Sequence, residues 1–231
     1  MPAGWLFGTD YAHRGLWGPG VPENSPAAFA AAVQAGLGVE LDVRLSADGI
    51  AMVFHDRLLA HLTGQPGAMS AHTAHDLTGL PLLGSDQTIA RLDRVLADIA
   101  GQVPVLIELK PGSLGLAHAV AQVLTDYRGP VAVMSFQDRL IDWFARTVPH
   151  RVRGLVLTTA RAHQTMWPIR RMASRPHFLA IQTRGLPCRL ASRARRDGAA
   201  ILSWTVRSEA EAARLAPLTD GLIREGEGLR R

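Results

Sequence analysis

Short runs of β-forming residues alternate with alanine-rich amphipathic stretches along almost the whole of this chain, and that rhythm excludes most architectures. The β-like runs fall at 11–13, 39–45, 51–54, 103–109, 131–135, 154–157, 178–182, 200–206 and 221–223. Helical stretches lie between most of them, at 25–35, 89–99, 116–127, 140–147, 188–196 and 208–215. Ser208 stands three residues before Glu211, a capping-box spacing that starts the last helix. Strand alternating with helix in this way argues for βαβ units and a parallel sheet. One pair breaks the rhythm. The runs 39–45 and 51–54 are separated by Ser46-Ala47-Asp48-Gly49, and Asp-Gly is a tight-turn signal, so 51–54 reads as an extra antiparallel strand. Discounting it leaves eight strands, the number a closed barrel requires.

The predicted class is therefore α/β, a (β/α)8 TIM barrel with a short insertion after the second barrel strand. The insertion, at about 56–88, is rich in Gly, Thr, His and Pro and reads as loops and short helices. It is too small for a domain of its own, so residues 1–231 read as one domain. No apolar run approaches the roughly 18–20 residues of a membrane span. The opening Met1-Pro2-Ala3-Gly4-Trp5-Leu6-Phe7 lacks the basic region of a signal peptide, and the single Cys188 cannot form an internal disulfide. These features lead to an expectation of a cytoplasmic protein.

Charge is informative in its distribution. Of 25 basic residues only Lys110 is a lysine, which suggests a position where a compact ammonium is needed and a planar guanidinium fails. Between Asp142 and Asp197 there is no acidic residue, while arginines from Arg146 to Arg196 crowd the interval. That stretch could favour a weak association with an anionic membrane surface, or form solvated helix faces. Nucleic acid is excluded as a partner, because no aromatic residues interleave the basic ones. Nothing in the sequence sets the oligomeric state.

Glu40-Leu41-Asp42 places two carboxylates at i and i+2 on one strand, facing the same way, and Glu108-Leu109-Lys110 repeats the geometry with a carboxylate and an ammonium. Carboxylates facing a packed interior are costly without compensation, and a hard divalent cation, Mg2+ or Ca2+, suits such all-oxygen ligands. His13 follows the first strand and His55 follows Phe54, so both stand at strand exits, where barrels place their chemistry. A pair of histidines can serve as acid and base near neutral pH. Arg14 can grip a phosphate, and Gly15 admits close backbone approach. His61, His72 and His75 read as loop residues of the insertion. His118, His150, His163 and His177 read as residues of helix or strand margins.

The pattern His13-Arg14-Gly15, Glu23-Asn24-Ser25, Glu40-Leu41-Asp42-Val43, Asp48-Gly49, Val53-Phe54-His55-Asp56 and Glu108-Leu109-Lys110 resembles the glycerophosphodiester phosphodiesterase family. A weaker continuation runs through Met134-Ser135-Phe136 and Trp204-Thr205-Val206 to Asp220-Gly221-Leu222-Ile223. The resemblance implies a divalent cation held by Glu40, Asp42 and Glu108, with His13 and His55 as the acid/base pair. It also implies phosphate binding by Arg14 and Lys110, and a substrate pocket with Trp204, Ser135 and Phe136. The substrate would be a small phosphodiester, and the products sn-glycerol 3-phosphate and an alcohol.

The chain departs from the pattern at Arg207, where many relatives carry Asn, and at Arg224-Glu225, in place of Thr-Asp. Those departures leave the leaving group open. One alternative is a lysophospholipase D acting on a single-chain lipid, favoured by the arginine-rich stretch and tryptophans such as Trp167. Another is a non-catalytic binding barrel, against which stands the presence of every histidine and metal carboxylate.

Overall fold

A computed structural model of the chain describes residues 4–164 and 172–226. Trp167, Arg170 and Arg171 lie outside the described residues. The strands are Tyr11–His13 (β1), Gly38–Leu45 (β2), Ala51–Val53 (β3), Val105–Leu109 (β4), Val131–Ser135 (β5), Val152–Leu157 (β6), Phe178–Gln182 (β7), Ala200–Val206 (β8) and Gly221–Arg224 (β9). The helices are Pro26–Gln34 (α1), Ala60–Thr63 (α2), Ala74–Thr78 (α3), Leu92–Ile99 (α4), Leu114–Leu124 (α5), Asp138–Thr147 (α6), Thr159–Gln164 (α7), Arg189–Arg196 (α8) and Glu209–Leu215 (α9). Setting β3 aside, eight strands alternate with helices among the described residues, the succession of a (β/α)8 barrel. Contacts gather the chain into two compact units: Met1–His13 with Val131–Arg231, and Arg14–Pro130. Among the described residues no helix is long and apolar enough to cross a membrane.

In the Arg14–Pro130 unit, β2 pairs in parallel with β4 and antiparallel with β3. Residues 38 to 43 of β2 are all buried, as expected for a parallel strand covered on both faces. The tight turn between β2 and β3 is closed by Ser46, whose hydroxyl donates to Asp48 Oδ1 at 2.6 Å, with Gly49 at φ 81°. Ser25 caps α1 by accepting from Ala28 N, and Pro26 occupies the first turn, where no donor is lost. In α4, Leu92, Val95, Leu96 and Ile99 form the buried stripe of an amphipathic helix. That helix starts three residues later than its sequence pattern suggested. Arg91 is its extended N-cap, and Ile89 belongs to the insertion's own core with Met52, Phe54, Leu59, Met69 and Leu77.

In the other unit, β1, β9, β8, β7, β6 and β5 follow one another as parallel neighbours. Gly154 on β6 is required by packing, since a Cβ there would lie 2.4 Å from the Phe178 ring. Helix α7 had no counterpart in the sequence reading, because among its residues only Ala162 is fully buried and no apolar stripe marks it. The predicted capping box of α9 forms by half. Ser208 accepts from Glu211 N at 3.2 Å, but the Glu211 carboxylate accepts from Arg207 N at 3.0 Å. In the arginine-rich stretch Arg175, Arg184, Arg189, Arg193, Arg195 and Arg196 are exposed, whereas Arg153 is buried and donates to the carbonyls of Ser174 and Pro149 at 2.7 and 3.0 Å.

Candidate active site

Side-chain alternation along β2 turns Glu40 and Asp42 to one face, and the register of β2 with β4 sets Asp42 beside Glu108. All three carboxylates are buried, and a ligand oxygen of each lies within 4.8 Å of the others. Burial, with the charges of Asp42 and Glu108, holds the Glu40 carboxyl well above the usual carboxylate range. Burial also pushes Glu108 up to about 7 against the opposing charge of Lys110. The Lys110 ammonium lies 2.6 Å from Glu108 Oε1 and 2.8 Å from Asp42 Oδ1. Burial works against that ammonium, but the two carboxylates outweigh it and keep its pKa raised.

Arg14 and Gly15 make the next wall, both in the left-handed region at φ 59° and 82°. A Cβ on Gly15 would lie 2.7 Å from the Ala28 Cβ, so only glycine lets this turn press on α1. The turn aims Arg14 N at Glu40 Oε2 (3.1 Å), while its guanidinium reaches Asp42 Oδ2 (3.2 Å) and clasps both oxygens of Glu23 (2.8 and 2.9 Å). Asn24, itself at φ 54°, fixes Asp42 twice: its amide donates to Asp42 Oδ2 at 2.9 Å, and its carbonyl accepts from Asp42 N at 3.2 Å. Arg14 and Lys110 thus bring two positive charges against the four carboxylates of Glu23, Glu40, Asp42 and Glu108. A divalent cation carries the charge that balances such a cluster, and the oxygen-only donor set fits Mg2+ or Ca2+.

His55 follows β3, and its Nδ1 lies 2.7 Å from Asp56 Oδ1. Burial lowers the His55 pKa, favouring the neutral ring at physiological pH. Burial opposes ionisation of Asp56, but hydrogen bonds from His55 and His61 hold its pKa below the ordinary value. Arg44 anchors the loop by donating from Nε to the His55 carbonyl at 2.7 Å.

In the other unit, further candidate side chains stand at strand ends. His13 ends β1, and its Nδ1 lies 2.5 Å from Glu225 Oε2. The second oxygen of Glu225 meets Arg207 Nε, also at 2.5 Å. Trp204 on β8 donates from Nε1 to the Ala180 carbonyl at 3.0 Å and meets Phe136 edge to face, with ring centroids 5.3 Å apart. Ser135 is buried at the end of β5, its hydroxyl accepting from Gln137 N at 3.0 Å.

Sequence reasoning passed over Glu23 and Asn24 as site residues, although their motif was visible, because their work is to hold Arg14 and Asp42. It also passed over Glu225 and Arg207, which read only as departures from a pattern. Their signal was that both changes fall together at the ends of adjacent strands. His61 read as a loop residue, yet its Nδ1 lies 3.1 Å from Asp56 Oδ2.

The Glycerophosphoryl diester phosphodiesterase family profile matches residues 13–223. A glycerophosphodiester phosphodiesterase of Bacillus altitudinis is 28% identical over 228 residues, covering 92% of each chain. Among solved structures, an Oleispira antarctica phosphodiesterase in complex with the product sn-glycerol-3-phosphate superposes with TM-score 0.86 at 25% identity, over 95% of this chain and 93% of the other. The glycerophosphodiester phosphodiesterase of Thermotoga maritima gives 0.80 at 25% identity, over 94% of both chains. The fold is accordingly the expected (β/α)8 TIM barrel. With the family match spanning nearly the whole chain, the protein is a phosphoric diester hydrolase that belongs to the glycerophosphoryl diester phosphodiesterase family.

Proposed function

We propose that this enzyme hydrolyses glycerophosphodiesters to sn-glycerol 3-phosphate and an alcohol, with Glu40, Asp42 and Glu108 holding Mg2+ or Ca2+ and His13 and His55 moving the protons. The observation that carries this reading is the buried carboxylate trio, whose oxygens lie within 4.8 Å of one another. Three carboxylates held so close out of water resist ionising together, as the raised pKa values of Glu40 and Glu108 reflect, and a bound divalent cation would favour the ionised form of all three. When bound, a divalent cation supplies charge neutralisation at the phosphoryl oxygens. Arg14 and Lys110 bind the phosphate and stabilise the negative charge that spreads over its equatorial oxygens during in-line attack. The ring of His55 pairs its Nδ1 with Asp56, so Nε2 presents the lone pair, and its lowered pKa suits the base that takes a proton from the attacking water. His13 then gives a proton to the departing alkoxide. Trp204 contacts the glycerol group, Ser135 and Phe136 contribute to substrate binding, and the reaction takes place in the cytoplasm. The product complex of the Oleispira antarctica relative supports sn-glycerol 3-phosphate as the common product. Assaying a panel of glycerophosphodiesters and lysophospholipids with product identification tests the reading. Turnover of the soluble diesters to sn-glycerol 3-phosphate is expected. Turnover confined to lysolipids would move the function to a lysophospholipase D.

A further inference from the structure

The pairing of β1 with β9 sets Tyr11 beside Ile223 and Ala12 beside Arg224. One step further along the same register, His13 stands beside Glu225. The pairing of β9 with β8 sets Arg224 beside Val206, and Glu225 N donates to the Val206 carbonyl at 3.0 Å, so the next step brings Arg207 beside Glu225. His13, Glu225 and Arg207 thus form one row across three adjacent strand ends. The side chains are joined along that row: Nδ1 of His13 to Oε2 of Glu225, and Oε1 of Glu225 to Nε of Arg207, each at 2.5 Å. Exposure rises along the row, from 12% for His13 and 13% for Glu225 to 65% for Arg207.

From this row we infer that Glu225, clamped by Arg207, is the positioning residue for His13. The inference rests on the reading of His13 as a proton-transfer group. A carboxylate with both oxygens engaged cannot rotate away. Its Oε2 therefore holds the proton of His13 on Nδ1 and leaves Nε2 as the nitrogen that exchanges a proton with substrate. Burial opposes ionisation of Glu225, but its contacts with His13 and Arg207 keep its pKa below the usual carboxylate range, so the acceptor stays charged at neutral pH. Glu225 touches no reacting atom; it acts through the ring it orients.

The test is the tautomer of His13 together with kinetics. In the wild-type enzyme, long-range proton–nitrogen correlation of the neutral His13 ring should show the proton on Nδ1. In Glu225→Ala the proton should move toward Nε2, the site that imidazole prefers when no partner intervenes. In the same variant kcat should fall about 10- to 100-fold, part of the 10²–10⁴ that a positioned acid or base contributes, with KM changed less than about threefold. Glu225→Asp should recover part of the rate. A neutral His13 protonated on Nε2 in the wild type would overturn the assignment, and that measurement needs no variant and no activity. Unchanged tautomer and kcat in Glu225→Ala would overturn it equally. Activity surviving in His13→Ala would instead defeat the acid/base reading, so the two failures are told apart.

Discussion

The Nζ of Lys110 lies 2.8 Å from Oδ1 of Asp42, so the chain's one lysine ties the end of β4 to the acidic face of β2. It also lies 2.6 Å from Glu108, within an environment that leaves Lys110 only 7% exposed. A point charge on a slim stem fits between two strand carboxylates; a guanidinium is wider and offers its donors in a fixed plane. Lys110→Arg is expected to lower kcat/KM by at least about 10²-fold, the scale of losing one preorganised donor at a developing charge. Initial-rate kinetics on glycerophosphocholine check this, and an unchanged rate would show that the lysine is incidental.

His13→Ala and His55→Ala should each fold and each lose about 10²–10⁴-fold in kcat, the range for a general acid or base. Circular dichroism establishes the fold and turnover of glycerophosphocholine reads the loss. Near-native turnover in either variant would remove that histidine from the chemistry.

The strands were legible from the sequence because parallel β-strands buried on both faces write themselves as unbroken apolar runs, and 131–135, 178–182 and 200–206 come out as the observed β5, β7 and β8. The i, i+2 carboxylates of β2 were legible for a related reason: charged residues interrupting such a run must have a partner. The partners that orient the site were less visible. Asn24 is neutral and lies 18 residues from Asp42, and Glu225 lies 212 residues from His13, so no local pattern links them. The turn before α1 brings Asn24 to β2, and the register of β1 with β9 brings Glu225 to His13; both are properties of the folded chain.

The raised pKa values of Glu40 and Glu108 make the metal-free protein sensitive to alkali. A carboxyl whose pKa is higher in the folded state binds more protons there than in the unfolded chain, so stability declines as pH rises from the ordinary carboxylate range through about 7. The melting temperature of the metal-free enzyme should therefore fall between pH 5 and pH 8 by about 2–4 °C per kcal/mol lost, and Glu108→Gln should flatten the dependence. Saturating Mg2+ or Ca2+ should restore stability at the higher pH, since binding to the folded state alone stabilises it. Calorimetric scans across that range decide the matter; a melting temperature that rises with pH in the metal-free protein contradicts it.

Asn24→Ala removes both hydrogen bonds to Asp42 and places alanine at a left-handed φ of 54°. Losing these two hydrogen bonds in the buried cluster should cost about 1–3 kcal/mol of stability. Cation affinity should fall about 10- to 100-fold, as when an outer-shell partner of a metal ligand is lost. Thermal melts and titration calorimetry with Mg2+ and Ca2+ measure the two effects, and an unchanged affinity would show that Asp42 is held without Asn24.

Metal-dependent hydrolysis is tested most directly by the turnover of glycerophosphocholine by the purified enzyme before and after exhaustive chelation, with products identified by phosphorus NMR. The expected products are sn-glycerol 3-phosphate and choline, with turnover abolished by EDTA and recovered with Mg2+ or Ca2+. Full activity after chelation, or release of phosphocholine and glycerol instead, would contradict it.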